Sequence, residues 1–319
     1  MKSAMPIRYG ERRMMGTPAH QLPPIGRSSR TLLAPDRIRA RRDVSGPGAW
    51  RAAGIPDSVV HDVLTPFLSG VVLERELTAS RRFLDLMMRM FARGGSAVPA
   101  LGMQRIPEQL AERLPAGAVR LETPVDEARR DGVLAAGEDL AARAVVVATD
   151  AWTASRLVPA LGDPPEARGV TTYYHVAPPW PGQSGTLVVD ADGSGVANSV
   201  VLTAAAPEYS GDGRSLVATS VVHDPSGVPA EPEVRRTLAS LHGRDTDSWE
   251  LLATYDIPRA LPAMTAPHPF RRPVRNGGLY VAGDHRDTSS IQGALVSGRR
   301  AADAVLSDLA SGGGARRGR

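Results

Sequence analysis

The sequence has no cysteine, one lysine and few aromatic residues, and each shortage excludes something. Without Cys there are no disulfides, no thiolate catalysis and no Cys-ligated metal. Four Phe, six Tyr and four Trp, with no basic stripe interleaved among them, argue against a nucleic-acid partner. Lys2 is the sole lysine, so the high isoelectric point comes from arginine while the net charge is only +4. No stretch approaches the ~20 apolar residues of a membrane span. Met1 to Arg8 carries charge but no apolar run, so no signal peptide is expected and the protein reads as soluble and cytoplasmic. His61 has no second histidine at ligand spacing, and no metal is assigned.

What is present describes an ordinary globular chain. Hydrophobic content of 42% and charged content of 23% over 319 residues suggest about two domains. Residues 1–50 are rich in Arg, Pro, Gly and Ser without an apolar period and read as irregular. Helices are expected from Pro56 or Asp57 to Leu64 and from Leu77 to Phe91. Another begins near Pro107, with Ile106, Leu110, Ala111 and Leu114 as its buried stripe. Short strands follow at Ala118–Leu121 and Val125–Ala128, a hairpin over Gly132–Leu134 and Asp139–Leu140, and a buried parallel strand at Ala144–Thr149 that leads into a helix capped by Asp150. From Gly169 to Pro262 the pattern is of alternating strands, with one helix over Glu231–His242, which argues for an antiparallel sheet. Tyr255 is the first candidate for lining a substrate cavity there, and Tyr173 and Tyr174 are alternatives.

The most informative stretch lies near the end. Leu279 to Ala282 is a short apolar run bounded by glycines, as expected of a strand buried on both faces. Gly283 and Asp284 follow, then Ser289 with Gln292 three residues later in a capping-box pattern, then an apolar period through Leu309. A helix starting near Ser290 would direct unpaired N–H groups of residues 290–294 back over the strand end, forming a receptor for an anion or a carbonyl. Gly283 permits close approach of a ligand, and Asp284 suits a sugar-type hydroxyl.

The run Gly278–Leu306 resembles the C-terminal flavin-binding signature of FAD-dependent amine oxidases and phytoene-desaturase-like oxidoreductases. That resemblance implies an α/β fold: a partial glutathione-reductase-like FAD-binding domain with an inserted antiparallel-sheet and helical substrate domain. It implies FAD as cofactor, with Gly283 and Asp284 at the pyrophosphate and ribityl chain, and Ser290, Ile291, Gln292, Gly293 and Ala294 beneath the pyrimidine end of the flavin. It also implies Val125 beside adenine and Thr149 near the dinucleotide. Thr65–Val71, Phe91 and Gly102–Pro107 resemble the helical part of such proteins, with a glycine-containing turn ahead of a helix. The implied organisation is an irregular segment 1–50, a helical substrate part 51–115, FAD-binding parts at 116–165 and 265–310, a sheet domain 166–264 and a disordered tail 311–319. The implied activity is hydride transfer from a small organic substrate to flavin N5.

Two departures stand out. Many amine oxidases bring a lysine near flavin N5, and with Lys2 alone available the desaturase-like branch is favoured. The family's opening strand and Gly-x-Gly-x-x-Gly are also missing: Gly46-Pro47-Gly48-Ala49-Trp50-Arg51 has a proline in the turn and no third glycine in place. That leaves the pyrophosphate without its main helix N-terminus. Three explanations stand side by side: a shortened chain, completion of the FAD site by a second chain, or a non-catalytic remnant acting as a binding module.

Overall fold

The computed structural model describes residues 7–9, 34–93 and 97–314. They fall into two compact units, each discontinuous in sequence. The first comprises Met1–Arg113, Arg168–Ala260 and Thr265–Pro267, and the second Leu114–Ala167, Leu261–Met264 and His268–Arg319.

The first unit is built on a six-stranded sheet ordered β1 (Ile7–Tyr9), β7 (Leu187–Val189), β8 (Val196–Val201), β9 (Ser215–Val222), β6 (Ala167–Ala177) and β10 (Glu250–Pro262). β1 runs parallel to β7, whereas β7–β8, β8–β9 and β6–β9 are antiparallel. The alternation in β6 is of period two, so Thr171, Tyr173, His175 and Ala177 are all buried on one face. Helix Glu231–His242 packs Val234 and Leu238, one turn apart, into a cluster with Tyr173, Val201, Val217, Val221 and Trp249. Asp57–Val59, a π-turn at Val60–Leu64 and Thr65–Val72 run on as consecutive helical segments.

Gly70 lies inside helix Thr65–Val72, where a Cβ would come within 2.6 Å of Asn198 Nδ2, so the glycine serves close packing on β8. Two expectations fail in this unit, each for a physical reason. Residues 35–40 and 46–52 are helical and bury Ile38, Ala49 and Trp50; polar composition hid two short amphipathic pieces. Helix Arg105–Ala111 leaves Leu110 and Leu114 about half exposed, so the anticipated stripe is not a core. Most of the 1–50 segment and residues 315–319 of the tail lie outside the described residues.

The second unit holds two small sheets. β2 (Val125–Arg129), β3 (Gly132–Ala135) and β4 (Glu138–Ala141) form an antiparallel meander. Its second turn places Ala136 at φ 50° and Gly137 at φ 81°, the pair of positive angles that a tight two-residue hairpin requires. β5 (Val146–Val147) and β12 (Leu279–Val281) are parallel neighbours, with β11 (Arg275–Asn276) antiparallel to β12. Val145, Val147, Ala154, Leu157, Leu279 and Val281 form the core beneath them, and Val125 packs on its rim. Ala118–Leu121 forms no strand and is exposed, Leu121 most of all. The C-terminal helix runs Ile291–Gly314, so residues 311–314 continue the helix rather than open a tail.

Candidate cofactor site

The site is assembled where β5 and β12 end side by side. Tyr280 and Ala282 donate backbone N–H bonds to Val145 and Val147 at 3.0 and 2.9 Å, so the chain leaves both strands at the same level, one as Thr149-Asp150 and the other as Gly283-Asp284. Carboxyl ends of adjacent parallel strands are where open α/β sheets take ligands. A short helix, Ala151–Leu157, follows the first strand, and the 24-residue C-terminal helix follows the second.

Asp150 caps the first helix, accepting from Trp152 and Thr153 N–H at 3.0 and 2.9 Å. Burial alone would raise its carboxyl, but these hydrogen bonds outweigh it and hold the group below the ordinary aspartate value. Thr149 is half-buried, and its hydroxyl bonds the Asp150 carbonyl at 3.1 Å.

Gly283 has φ 147°, and a Cβ there would lie 2.4 Å from His285 Cε1 and 3.0 Å from the Thr149 carbonyl oxygen. The glycine is therefore obligatory on both backbone and steric grounds. Its N–H and carbonyl are both held by Ser297, whose fully buried hydroxyl lies 2.9 Å from the former and 2.7 Å from the latter. Sequence reading overlooked Ser297; the signal was a hydroxyl seven residues after Ser290 on an otherwise apolar helix face.

Expectation and structure differ at the helix start. Ser290, not Ser289, is the cap: its Oγ accepts Gly293 N–H at 3.0 Å. Ser289 Oγ instead donates to the Pro262 carbonyl, and its N–H meets Met264 Sδ at 3.2 Å. Of the N–H groups of residues 290–294, Ser290 bonds Thr288 O, Gly293 bonds Ser290 Oγ and Ala294 bonds Ser290 O. Those of Ile291 and Gln292 remain open, on two exposed residues in the first helical turn. Gly293 is a packing residue, since a Cβ would sit 1.9 Å from the Thr288 carbonyl oxygen.

Asp284 is partly exposed and its Oδ1 accepts His285 N–H at 2.8 Å. His285 itself is buried, with neither ring nitrogen in a hydrogen bond; Asp284 Oδ1 lies 3.8 Å from Nδ1. Arg286 is likewise buried and its Nε has no partner. Burial, and then the like charge of Arg272, lower its pKa from the ordinary arginine value. Among the described residues no cluster of three His, Asp or Glu side chains has the arrangement of a metal site.

The sequence-selected residues therefore separate into groups. Thr149, Gly283, Asp284, Ser290, Ile291, Gln292, Gly293 and Ala294 belong to the ends of one parallel strand pair and the helix that follows. Val125 stands at the start of the meander and packs against the core beneath the strand pair. Of the two tyrosines in the first unit, Tyr255 is exposed and meets Tyr174 edge to face at 5.8 Å. Tyr173 points into the core and donates its hydroxyl to the Pro229 carbonyl at 2.9 Å, so it is a packing residue rather than a cavity wall.

The family model for flavin-containing amine oxidoreductases matches residues 51–306. The chain belongs to that family. Its mixed helix and sheet fold is shared with an oxidoreductase from Methanosarcina mazei, at 16% identity and a TM-score of 0.64, over 88% of this chain and 71% of that one. A double mutant of putrescine oxidase redesigned in its cofactor binding aligns at 18% identity and a TM-score of 0.58, over 89% and 70% of the two chains. Reduced UDP-galactopyranose mutase aligns at 12% identity and a TM-score of 0.53, over 75% and 61%. At such identities the likeness is one of fold. No curated protein sequence matches the chain. Among the described residues no helix is long and apolar enough to cross a membrane.

Family membership implies a flavin, and the residues at the strand ends fit one. Two open N–H groups at a long helix N-terminus, a partly exposed carboxylate beside a glycine, and buried polar atoms left without partners are the features of a site shaped for a polar ligand.

Proposed function

We propose that this chain is an FAD-dependent oxidoreductase that removes a hydride from a small organic substrate, of amine-oxidase or desaturase-like type. The second unit is read as part of a glutathione-reductase-like FAD-binding domain, and the antiparallel sheet with its helices as the substrate region. What carries the reading is the convergence of two parallel strand ends on a helix N-terminus with two open N–H groups, inside the segment matched by the family.

A flavin held there would supply the two-electron acceptor that the protein's own side chains lack. The protein's contribution is binding and electrostatics. The Ile291 and Gln292 N–H groups, backed by the dipole of the C-terminal helix, favour an electron-rich carbonyl or an anion. Asp284 accepts a hydrogen bond from a sugar-type hydroxyl, and Gly283 keeps the strand end free of any side chain. In the first unit, Tyr255 with Tyr174 is assigned to substrate contact.

The test is the visible absorption spectrum of the purified chain after incubation with FAD and removal of free ligand. Retained flavin supports the reading, and Asp284→Ala should then weaken FAD binding by about tenfold. Unchanged affinity would remove Asp284 from the site. A colourless chain that still unfolds cooperatively would favour the other reading, motivated by the lack of a Gly-x-Gly-x-x-Gly in this sequence: a non-catalytic binding module, or a site completed by a second chain.

A further inference from the structure

Buried cations in folded proteins are nearly always paired. Partly buried arginines among the described residues follow it: Arg168 lies 3.0 Å from Glu74, Arg82 lies 3.1 Å from Asp43, and Arg81 lies 3.4 Å from Asp85. Arg286 breaks it. The residue is only 7% exposed, its Nε has no hydrogen-bond partner, and no carboxylate among the described residues is within ion-pair distance of it. The charge that acts on it is of its own sign, from Arg272, whose backbone N–H bonds the Arg286 carbonyl at 3.0 Å.

The two arginines are held together by a third. Arg300 donates to the Arg286 carbonyl at 3.2 Å and to the Arg272 carbonyl at 2.7 Å, while Asp287 is engaged by Arg300 at 3.3 Å. The acid on the other side, Asp284, is turned to the His285 N–H. His285, between them, has both ring nitrogens buried without a partner. Two consecutive buried polar side chains thus lack the groups that would satisfy them, at the end of the strand where a ligand belongs.

We propose that Arg286, with Arg272 beside it, is a receptor for a phosphate-type oxyanion. Arg272 Nε, like Arg286 Nε, is buried without a hydrogen-bond partner, and a phosphate or pyrophosphate carries more than one negative charge while matching the planar fork of a guanidinium. A single carboxylate would neutralise only one of them. The source of the phosphate rests on the flavin reading above: in that reading it is the pyrophosphate of the dinucleotide, and otherwise it is a free phosphate or a phosphorylated molecule.

The experiment uses the full chain and three probes: inorganic pyrophosphate, FAD and riboflavin, which lacks phosphate. Pyrophosphate should raise the wild-type Tm relative to chloride at matched ionic strength, and Arg286→Gln and Arg272→Gln should each remove the rise. FAD should bind Arg286→Gln at least about tenfold more weakly than wild type, with riboflavin affinity unchanged, which would fix the dinucleotide as the source. A rise in Tm with pyrophosphate while neither flavin binds would support the oxyanion receptor and defeat the flavin reading by itself. The proposal is overturned if pyrophosphate leaves the wild-type Tm where chloride does and wild type binds FAD no more tightly than riboflavin. The pyrophosphate comparison needs no variant and stands even if Arg286→Gln fails to fold.

Discussion

Two buried histidines divide the molecule by what surrounds them. His175, on β6 of the first unit, is fully buried, and its Nε2 lies 2.9 Å from Glu231, which Arg235 also engages. Burial pushes the His175 pKa down and the Glu231 contact pushes it partly back. His285, at the end of β12, is buried almost as completely and bonds nothing through its ring. The first histidine is a structural residue with one ring nitrogen provided for, Nε2, while its Nδ1 is buried without a partner. The second carries a desolvation cost with no internal return, a pattern expected where polar groups are kept for a ligand rather than for the fold.

The backbone around His285 gives the largest expected effect. Gly293→Ala places a Cβ on the Thr288 carbonyl, a clash that only movement of the 288–293 turn relieves, and should cost about 3 kcal/mol or more in chemical denaturation. A loss under about 1 kcal/mol would mean that the strand end is loosely built. Ser297→Ala comes next, at about 2 kcal/mol, because it leaves the partly buried Gly283 N–H without an acceptor.

The comparison is sharpened by replacing each histidine in turn. His175→Leu removes a partner of Glu231 and should cost about 2 kcal/mol, whereas His285→Leu breaks no hydrogen bond of its ring and should stay within about 1 kcal/mol. Equal losses would erase the distinction. A third histidine supplies a pH test. Burial lowers His242 to about 4, where it stays neutral and 3.0 Å from Ser199 Oγ. Between its unfolded value near 6.5 and about 4 the unfolded chain binds the extra proton, so stability is present above that window and is lost as pH falls through it. The loss should approach about 3 kcal/mol by pH 4 and be smaller in His242→Gln. A variant that tracks wild type from pH 7 to 4 would assign the acid sensitivity elsewhere.

Much of the strand end was legible because its chemistry is local. A short apolar run between glycines marked β12, Asp150 announced its helix, and residues 136–137 needed no partner to turn β3 into β4. What sequence could not reveal depends on distant groups. Ser289 and Ser290 are equally good caps on paper; Pro262, 27 positions back in the chain, takes the Ser289 hydroxyl and leaves the helix to Ser290. The steric need for glycine at 293 shows only once Thr288 is seen folded against it. His285 and Arg286 attract no notice in a string of letters, since what distinguishes them is burial without partners, a property of three dimensions.

The smallest effect tests the other strand end. Asp150 joins Trp152 and Thr153 N–H groups at the start of a helix of seven residues, and Asp150→Ala should cost about 1 kcal/mol through the lost cap alone. Asn at the same position can accept those hydrogen bonds without the charge, so Asp150→Asn should recover most of the stability. Asp150 also stands where β5 ends, next to Thr149, whose carbonyl oxygen a Cβ on Gly283 would meet at 3.0 Å. If β5 contributes only scaffolding, both variants will bind flavin in proportion to their stability. If Asp150→Asn is as stable as wild type yet changes FAD affinity, the carboxylate charge at the β5 end acts on the ligand, and the two strand ends share the site.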